Sequence, residues 1–441
     1  LSSNLRVLRD RSVLCLLSAR SVSLLGNAIA PVALAFTVLD LPDGSATALG
    51  LVLTARLASQ VVFVLLGGVV ADRWPKYRVM VGADVVAGLA QSVAAALVIT
   101  EHASALSLAL LACVNGAAAA LFEPASRSVM PQLVSGEVLQ SANGLLQLAM
   151  RGGNIIGAAV AGILVALVGP GPTLAIDAAS FLVSAVLLTG IRLKSTPPIG
   201  TSASLVRQLR DGWQEFTARQ WVWVMVAQLC VVNVLLAGGF YVLGPVVAKD
   251  QLGGAPAWSL ILTAQAIGYV VGSTTAVRLR TRRPIRLAAL LTMGFPLPLF
   301  LLAAEAPVAA VAVLAFVAGI CIDVYEVLLD TALQKNVPED KLARVMSYEA
   351  VGSFAFVPLG LALAGPASAA LGVGPALIWA GALIVLAGPL VLLLPSVRAV
   401  DEGQPPTSAP PAASVPVSGP LGNGPESGAG PNRDDHRLEE S

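Results

Sequence analysis

Gly67-Gly68-Val69-Val70-Ala71-Asp72-Arg73-Trp74-Pro75-Lys76-Tyr77-Arg78 closes one long apolar run, and a second apolar run starts at Val79. A glycine pair comes first, then an acid, then three cations within six residues. If both runs cross a bilayer, the segment between them is too short to be a domain. It reads as a tight, charged hinge between two transmembrane helices.

Composition supports that reading. Hydrophobic residues make up 56% of the 441 residues and charged residues 12%, against about 45–50% and about 25% in ordinary soluble proteins. A soluble core would leave much of that apolar surface exposed, whereas lipid covers it. Helices satisfy their own backbone groups in hydrocarbon, and the alternating pattern of a barrel strand is absent. The expected fold is an all-α membrane protein. A formal net charge of +1 suggests no nucleic-acid partner. Cys15, Cys113, Cys230 and Cys321 lie far apart in apolar runs, with neither metal spacing nor a disulfide framework. No metal and no cofactor is expected. The basic N-terminus (Arg6, Arg9, Arg11) precedes an apolar run too long for a signal core, which reads as a retained first helix.

A span needs about 20 mostly apolar residues. Twelve segments qualify, at roughly 13–38, 47–71, 79–99, 104–125, 141–168, 172–191, 221–247, 257–278, 286–303, 307–333, 344–364 and 374–394. They are numbered spans 1–12. Arg20, Arg56 and Arg151 fall inside spans and Lys249 near an odd-numbered connection. All other Lys and Arg fall in the N-terminal segment, the even-numbered connections or the span ends that border them, and the C-terminal tail. The positive-inside rule then puts both termini in the cytoplasm of a multi-pass cell-membrane protein.

The long connection at 192–220 divides the spans six and six. This gives an N-terminal bundle over 1–191, a cytoplasmic linker over 192–220, a C-terminal bundle over 221–395 and a disordered tail over 396–441. In the linker, Leu205, Leu209, Trp213 and Phe216 recur at helical spacing, which predicts a short amphipathic helix on the inner membrane surface. The tail is rich in Pro, Ser, Gly and Ala and then carries mixed charge.

The two bundles echo each other. Phe122-Glu123 in span 4 matches Tyr325-Glu326 in span 10, and at the same offset Val134, Glu137 and Leu139 match Val337, Asp340 and Leu342. The basic hinge has a degraded copy from Gly272 to Arg283, with Ala276 where Asp72 would be. Parallel six-helix repeats are a transporter architecture, with the site at the repeat interface near midplane.

Over roughly residues 10–395 the chain resembles the major facilitator superfamily. Gly68-x-x-x-Asp72-Arg73-x-x-Lys76-x-Arg78 is similar to its loop 2–3 motif, with Pro75 and Tyr77 where Gly and Arg are usual. Gly153-x-x-x-Gly157-x-x-x-x-Gly162 resembles its antiporter motif, with Ala158 where Pro is usual. Phe122-Glu123-Pro124, the 175–181 segment and Asp211-Gly212-Trp213 resemble the subgroup that exports enterobactin and macrolides. The resemblance implies a twelve-helix secondary transporter with two six-helix bundles and rocking alternating access. It also implies a charge network of Asp72, Arg73, Lys76, Arg78 and Glu123 that latches the bundles while the cavity faces outward. Asp72 would meet the start of span 11, where a helix N-terminus carries positive partial charge.

Ionisable groups inside spans are costly and by default face a cavity or a partner. Asp323, Glu326 and Asp330 share one face of span 10. Close carboxylates repel and favour a shared proton, so Asp323 and Asp330 are proton-coupling candidates, with Asp177 a further one. Glu326 is expected to pair with the basic 278–283 turn as a second gating group. Arg20, Arg56 and Arg151 either line the cavity and bind an anionic or zwitterionic substrate, or pair with buried acids and carbonyls. Asn27, Asn154, Gln60 and Gln147 would add neutral contacts. Gly153, Gly157 and Gly162 allow close helix packing. The few aromatics read mostly as interface anchors, for example Trp221 and Trp223.

The expected function is proton-coupled export of a small amphipathic molecule, such as a drug, siderophore or secondary metabolite. The expected partners are that substrate, protons and membrane lipid, and the expected state is a monomer. An importer of the same fold and a non-transporting receptor are the rivals. An enzyme is not expected, since His102 lies in an outer connection and His436 in the tail, and no Gly-x-x-x-x-Gly-Lys-Ser/Thr phosphate loop exists for a primary pump.

Overall fold

The computed structural model describes residues 11–73, 75–133, 136–191 and 205–401. Among the described residues there is no strand, and 12 helices are long and apolar enough to cross a membrane. Spans 1–6 are Arg11–Asp40, Ala46–Arg73, Lys76–Ile99, Ala105–Leu133, Gly136–Val168 and Pro170–Leu188. Spans 7–12 are Gln220–Gln251, Ala255–Arg278, Pro284–Ala303, Val308–Asn336, Arg344–Leu371 and Val373–Leu392. Large apolar residues point outward along them, including Leu89, Val93, Leu106, Leu167, Val277 and Leu386. Such a continuous apolar exterior suits contact with lipid.

Proline and glycine set the ends. Pro75 sits just before span 3, and its carbonyl accepts from the Arg78 and Val79 amides. Gly169 (φ 84°) and Gly372 (φ 88°) turn the chain into spans 6 and 12. These are matching positions of the two halves, and only glycine takes that backbone without steric cost. The helices ending at Ile99 and Ala303 stop in the same way. Thr100 N donates to Ala96 O, Glu101 N to Val98 O and His102 N to Leu97 O; Ala304, Glu305 and Ala306 repeat the pattern onto Phe300, Leu302 and Leu301. Both are Schellman-type ends with a glutamate in the left-handed position, at φ 62° for Glu101 and 53° for Glu305.

Three spans depart from regular α-helix, all in the second half. Span 7 passes through a π-helical segment at Ala237–Leu243, which holds the Gly238-Gly239 pair. Span 9 tightens to 3-10 geometry at Thr292–Gly294, and span 11 is broken between Phe354 and Val357.

Within the first half, span 2 packs on span 4, span 3 on spans 4 and 6, and span 1 on spans 5 and 6. In the second half span 10 packs on spans 8 and 9, and span 7 on spans 11 and 12. Between the halves the main pairings are span 5 with span 8 and span 2 with span 11. Trp221 is 1% exposed and packs in the core at the start of span 7. It is therefore no membrane-interface anchor, because its indole meets protein rather than the headgroup layer. Trp223 is 40% exposed.

The linker helix spans Leu205–Thr217 and packs on the first turns leading into span 11, Glu339–Phe354, and on span 7. Trp213, Phe216 and Tyr348 form a three-ring contact with centroids 5.7–5.9 Å apart. The side chains of Leu205 and Leu209 lie outside the described residues. Glu215 accepts from Lys341 Nζ, and from Arg219 Nη1 at 3.0 Å. The Lys341 hydrogen bond, aided by Arg219, holds the Glu215 carboxyl below the ordinary carboxylate range. A depressed pKa adds stability above the unfolded value and loses it as pH falls through the folded one. The protection factors of the linker-helix amides, corrected for the intrinsic pH dependence of exchange, should therefore stay flat down to about pH 5 and fall below it. Glu215→Gln should lower protection above about pH 5 to the level the parent reaches in acid, and so abolish the pH dependence; an unchanged acid profile in that variant would assign the effect to another group.

The helix Pro395–Asp401 continues past the expected end of the second bundle at 395. The tail expected to be disordered lies, from 402 on, outside the described residues.

Candidate functional site: a cavity between the two halves

The two halves meet most closely at the end that carries the odd-numbered connections. A Cβ added to Gly50 would lie 2.3 Å from the Leu361 carbonyl oxygen, and one on Gly365 would lie 2.3 Å from Thr47 Cα. Spans 2 and 11 thus touch backbone to backbone, and Thr54 Oγ1 donates to the Pro358 carbonyl at 3.1 Å. On the other side of the seam, a Cβ on Gly162 would lie 2.5 Å from Ser259 Oγ in span 8. Lys249, beside the end of span 7, pairs with Asp40 at 2.7 Å and donates to the Leu39 carbonyl. The lone cation among the acids of the odd-numbered connections therefore has a cross-half partner. That isolation is the sequence signal which could have marked it.

Beneath this seam lies a cavity of about 830 Å³. The first half contributes Asn27, Arg56, Gln60 and Asn154, and the second contributes Tyr241, Trp258, Tyr269, Tyr325, Glu326, Asp330 and Glu349, among apolar neighbours. The π-helical segment of span 7 carries Tyr241 to the wall; such segments often accompany functional sites. Tyr241, Trp258, Tyr269 and Phe295 line this interior cavity. They stand where the second half is kinked or π-helical, or on span 8 beside it, and composition alone gives no direction to a ring.

The three span 10 carboxylates separate. Asp323 is 5% exposed; Arg151 Nη1 donates to its Oδ1 at 3.2 Å and Ser273 Oγ to its Oδ2 at 2.6 Å. The Arg151–Asp323 pair joins span 5 to span 10, one half to the other. Glu326 and Asp330, farther toward the even-connection end, face the cavity. Glu326 forms no ion pair with the 278–283 turn among the described residues, and all four arginines of that turn are exposed.

Arg20 is buried within the first half. Its Nη1 donates to Glu123 Oε1 at 3.2 Å and its guanidinium lies 5.2 Å from the Phe122 ring centroid. It lines a small cavity with Asp84, whose Oδ2 accepts from Ser184 Oγ at 2.5 Å. The second half carries an uncharged counterpart: Gln228 and Thr292 follow Arg20 and Asp84 by the same number of residues, and Gln228 Nε2 donates to Thr292 Oγ1 at 3.1 Å. Arg56 belongs both to the central cavity and to a small one shared with Asp177. Asn27 lines the central cavity and donates to Ser23 Oγ at 3.4 Å.

Gly157 brings span 5 against span 1, since a Cβ there would lie 2.4 Å from Ala28 Cβ; at Gly153 the nearest atom is at an ordinary 3.6 Å. At the hinge, Arg78 Nε donates to Tyr77 Oη at 3.1 Å. The side chains of Asp72 and Arg73 and the surroundings of Gly68 lie outside the described residues, as do those of Trp74; Lys76 is partly buried.

Two six-helix halves enclosing one cavity at their interface define a membrane transporter of the major facilitator type. The chain belongs to the transmembrane secretion effector family of that superfamily, whose model matches residues 2–420. It is 26% identical over 397 residues to the multidrug efflux pump Tap of Mycolicibacterium fortuitum, covering 85% of this chain and 94% of Tap. It is 21% identical over 401 residues to macrolide efflux protein A of Streptococcus pyogenes, covering 87% and 96%. It is 26% identical over 350 residues to the enterobactin exporter EntS of Shigella boydii, covering 76% and 82%. Among solved structures, a mutant form of the nucleoside transporter NupG superposes with a TM-score of 0.73 at 13% identity, covering 87% of this chain and 99% of that one. An auto-inhibited peptide transporter of the POT family superposes at 0.68 with 12% identity, covering 87% and 96%. At those identities the superpositions speak for the fold alone.

Proposed function

We propose that the protein exports a small amphipathic molecule in exchange for protons, by alternating access of the central cavity. The observation that carries this is the cavity of about 830 Å³ between two halves held at one end by close glycine contacts. Such a seam can part without breaking either bundle. With positive-inside orientation the seam lies on the outer face, and the conformation is the inward-facing one that loads an exporter. The relatives' names, which cover several drugs and a siderophore, support efflux.

Asp323 is the best-placed proton site. Its charge holds Arg151 across the halves, so protonation would release the arginine and free span 5 from span 10. Asp330 and Asp177 are the alternates. The loop motif assigns Asp72, with Arg73, Lys76, Arg78 and Glu123, to the latch that holds the halves on the cytoplasmic side in the opposite conformation.

The test is uptake into inside-out vesicles under an imposed proton gradient, acid inside, with macrolides, tetracyclines and catecholate siderophores as cargo. At least one should accumulate about tenfold over protein-free vesicles and leak back when the gradient is collapsed. Accumulation indifferent to the gradient would remove the proton; uptake of none of the three classes would remove drug and siderophore export.

A further inference from the structure

We infer that the central cavity selects an organic cation, a protonated amine or quaternary centre on a ring-bearing body, over an anion of the same size. Glu326, Asp330 and Glu349 are the groups that recognise its charge. All three carboxylates line the cavity, on spans 10 and 11. Among the described residues none of them forms an ion pair with Lys or Arg, whereas Asp323 close by is held by Arg151 and Ser273. Glu326 and Asp330 are exposed in the cavity and Glu349 is half-buried, so their charge is presented to whatever enters, and a ligand that brings a positive charge is favoured there.

A second observation is independent of the acids. Tyr325 lines the same cavity and is 0% exposed, and its hydroxyl has no hydrogen-bond partner among the described residues. A buried hydroxyl of this kind is a ready donor or acceptor for a polar group on a bound molecule. Tyr241 and Tyr269 add aromatic walls, and ring faces attract organic cations. Arg56, the one cation of the lining among the described residues, also shares a small cavity with the buried Asp177. An anionic cargo seated on Arg56 would meet three carboxylates across the cavity, and like-charge contact is how a site rejects the wrong ligand.

This deepens the export reading and rests on it only for movement of the cation, since binding needs no flux. The experiment titrates purified protein in neutral detergent with tetraphenylphosphonium and with tetraphenylborate, ions of matched shape and opposite charge, following tryptophan fluorescence. The cation should bind at least about tenfold more tightly. Glu326→Gln/Asp330→Asn should weaken cation binding by about tenfold and narrow the preference, and Glu349→Gln should weaken it by a smaller factor. Each variant is first checked for monodisperse elution, and Glu349→Gln serves alone if the double variant fails that check. Equal or tighter binding of tetraphenylborate, binding of neither ion, or a cation affinity indifferent to these carboxylates overturns the proposal. A retained charge preference with no flux of any compound upholds the cavity and removes the transporter.

Discussion

Arg151→Ala should cut transport more than tenfold and lower the midpoint of thermal unfolding in detergent, whereas Asp323→Asn should lower that midpoint much less. The asymmetry follows from burial. The Asp323 side chain is 7% exposed and that of Arg151 is 46% exposed. Removing the arginine strands a buried carboxylate with only Ser273 as donor. Leaving such a charge unpaired costs about 3–5 kcal/mol when it is fully buried, and about 1–3 kcal/mol is expected here because the partner is half-solvated. Removing the acid leaves an arginine that is half-exposed and can be solvated. The pair also spans the two halves, so its loss unties span 5 from span 10. The double variant Arg151→Ala/Asp323→Ala should recover about 1–3 kcal/mol of the stability lost in Arg151→Ala alone. Strict additivity of the two single changes would mean that the contact carries no coupling, and Asp323 would lose its place as the proton site.

Gly365→Val should halt transport almost completely. Its Cβ would fall 2.3 Å from Thr47 Cα and 2.5 Å from Thr47 N, where carbon contacts settle at about 3.5–4.0 Å. Backbone cannot step aside as the end of a flexible side chain can. Spans 2 and 11 must separate by about 1 Å or more, and overpacking of this kind costs about 1–3 kcal/mol. The seam would stay parted, and the population would shift to the conformation open at the odd-connection end. A thiol introduced by Gln60→Cys, in the cavity wall, should then react faster with a membrane-impermeant maleimide added from outside. Gly152→Ala is the control, because nothing lies within 4 Å of a Cβ there. Full transport by Gly365→Val, with labelling unchanged, would show that the seam is not part of the cycle.

The spans and their pairing into two halves were legible because each rests on a local signal: an apolar run of sufficient length, a charged turn, a repeated Phe/Tyr-Glu pair. The polar lining was partly legible for the same reason. Asn27, Arg56 and Asn154 are costly inside a span and do line the cavity. Partners were not legible. Spacing put Asp323, Glu326 and Asp330 on one face of span 10, yet Asp323 meets Arg151 and Ser273 while its neighbours meet open space. That difference depends on how fast the halves diverge along span 10, a property of two bundles and not of one helix. Arg20 and Glu123 are 103 residues apart, and nothing local to either residue marks the pairing. Tyr241 reaches the cavity through a π-helical segment whose only trace in the sequence is Gly238-Gly239.

The matched helix ends at Glu101 and Glu305 bear on ancestry. Around them side chains have drifted: Thr100-Glu101-His102 faces Ala304-Glu305-Ala306. The backbone has not, since both turns keep the same three hydrogen bonds and the same left-handed glutamate. A single gene doubled end to end would leave this imprint, in which chain path outlasts chemistry. It also dates the asymmetry of the cavity. If both halves began alike, the charged Arg20–Asp84 region and its neutral Gln228–Thr292 counterpart are later divergences. Division of labour between the two bundles was then acquired after the fold was already complete.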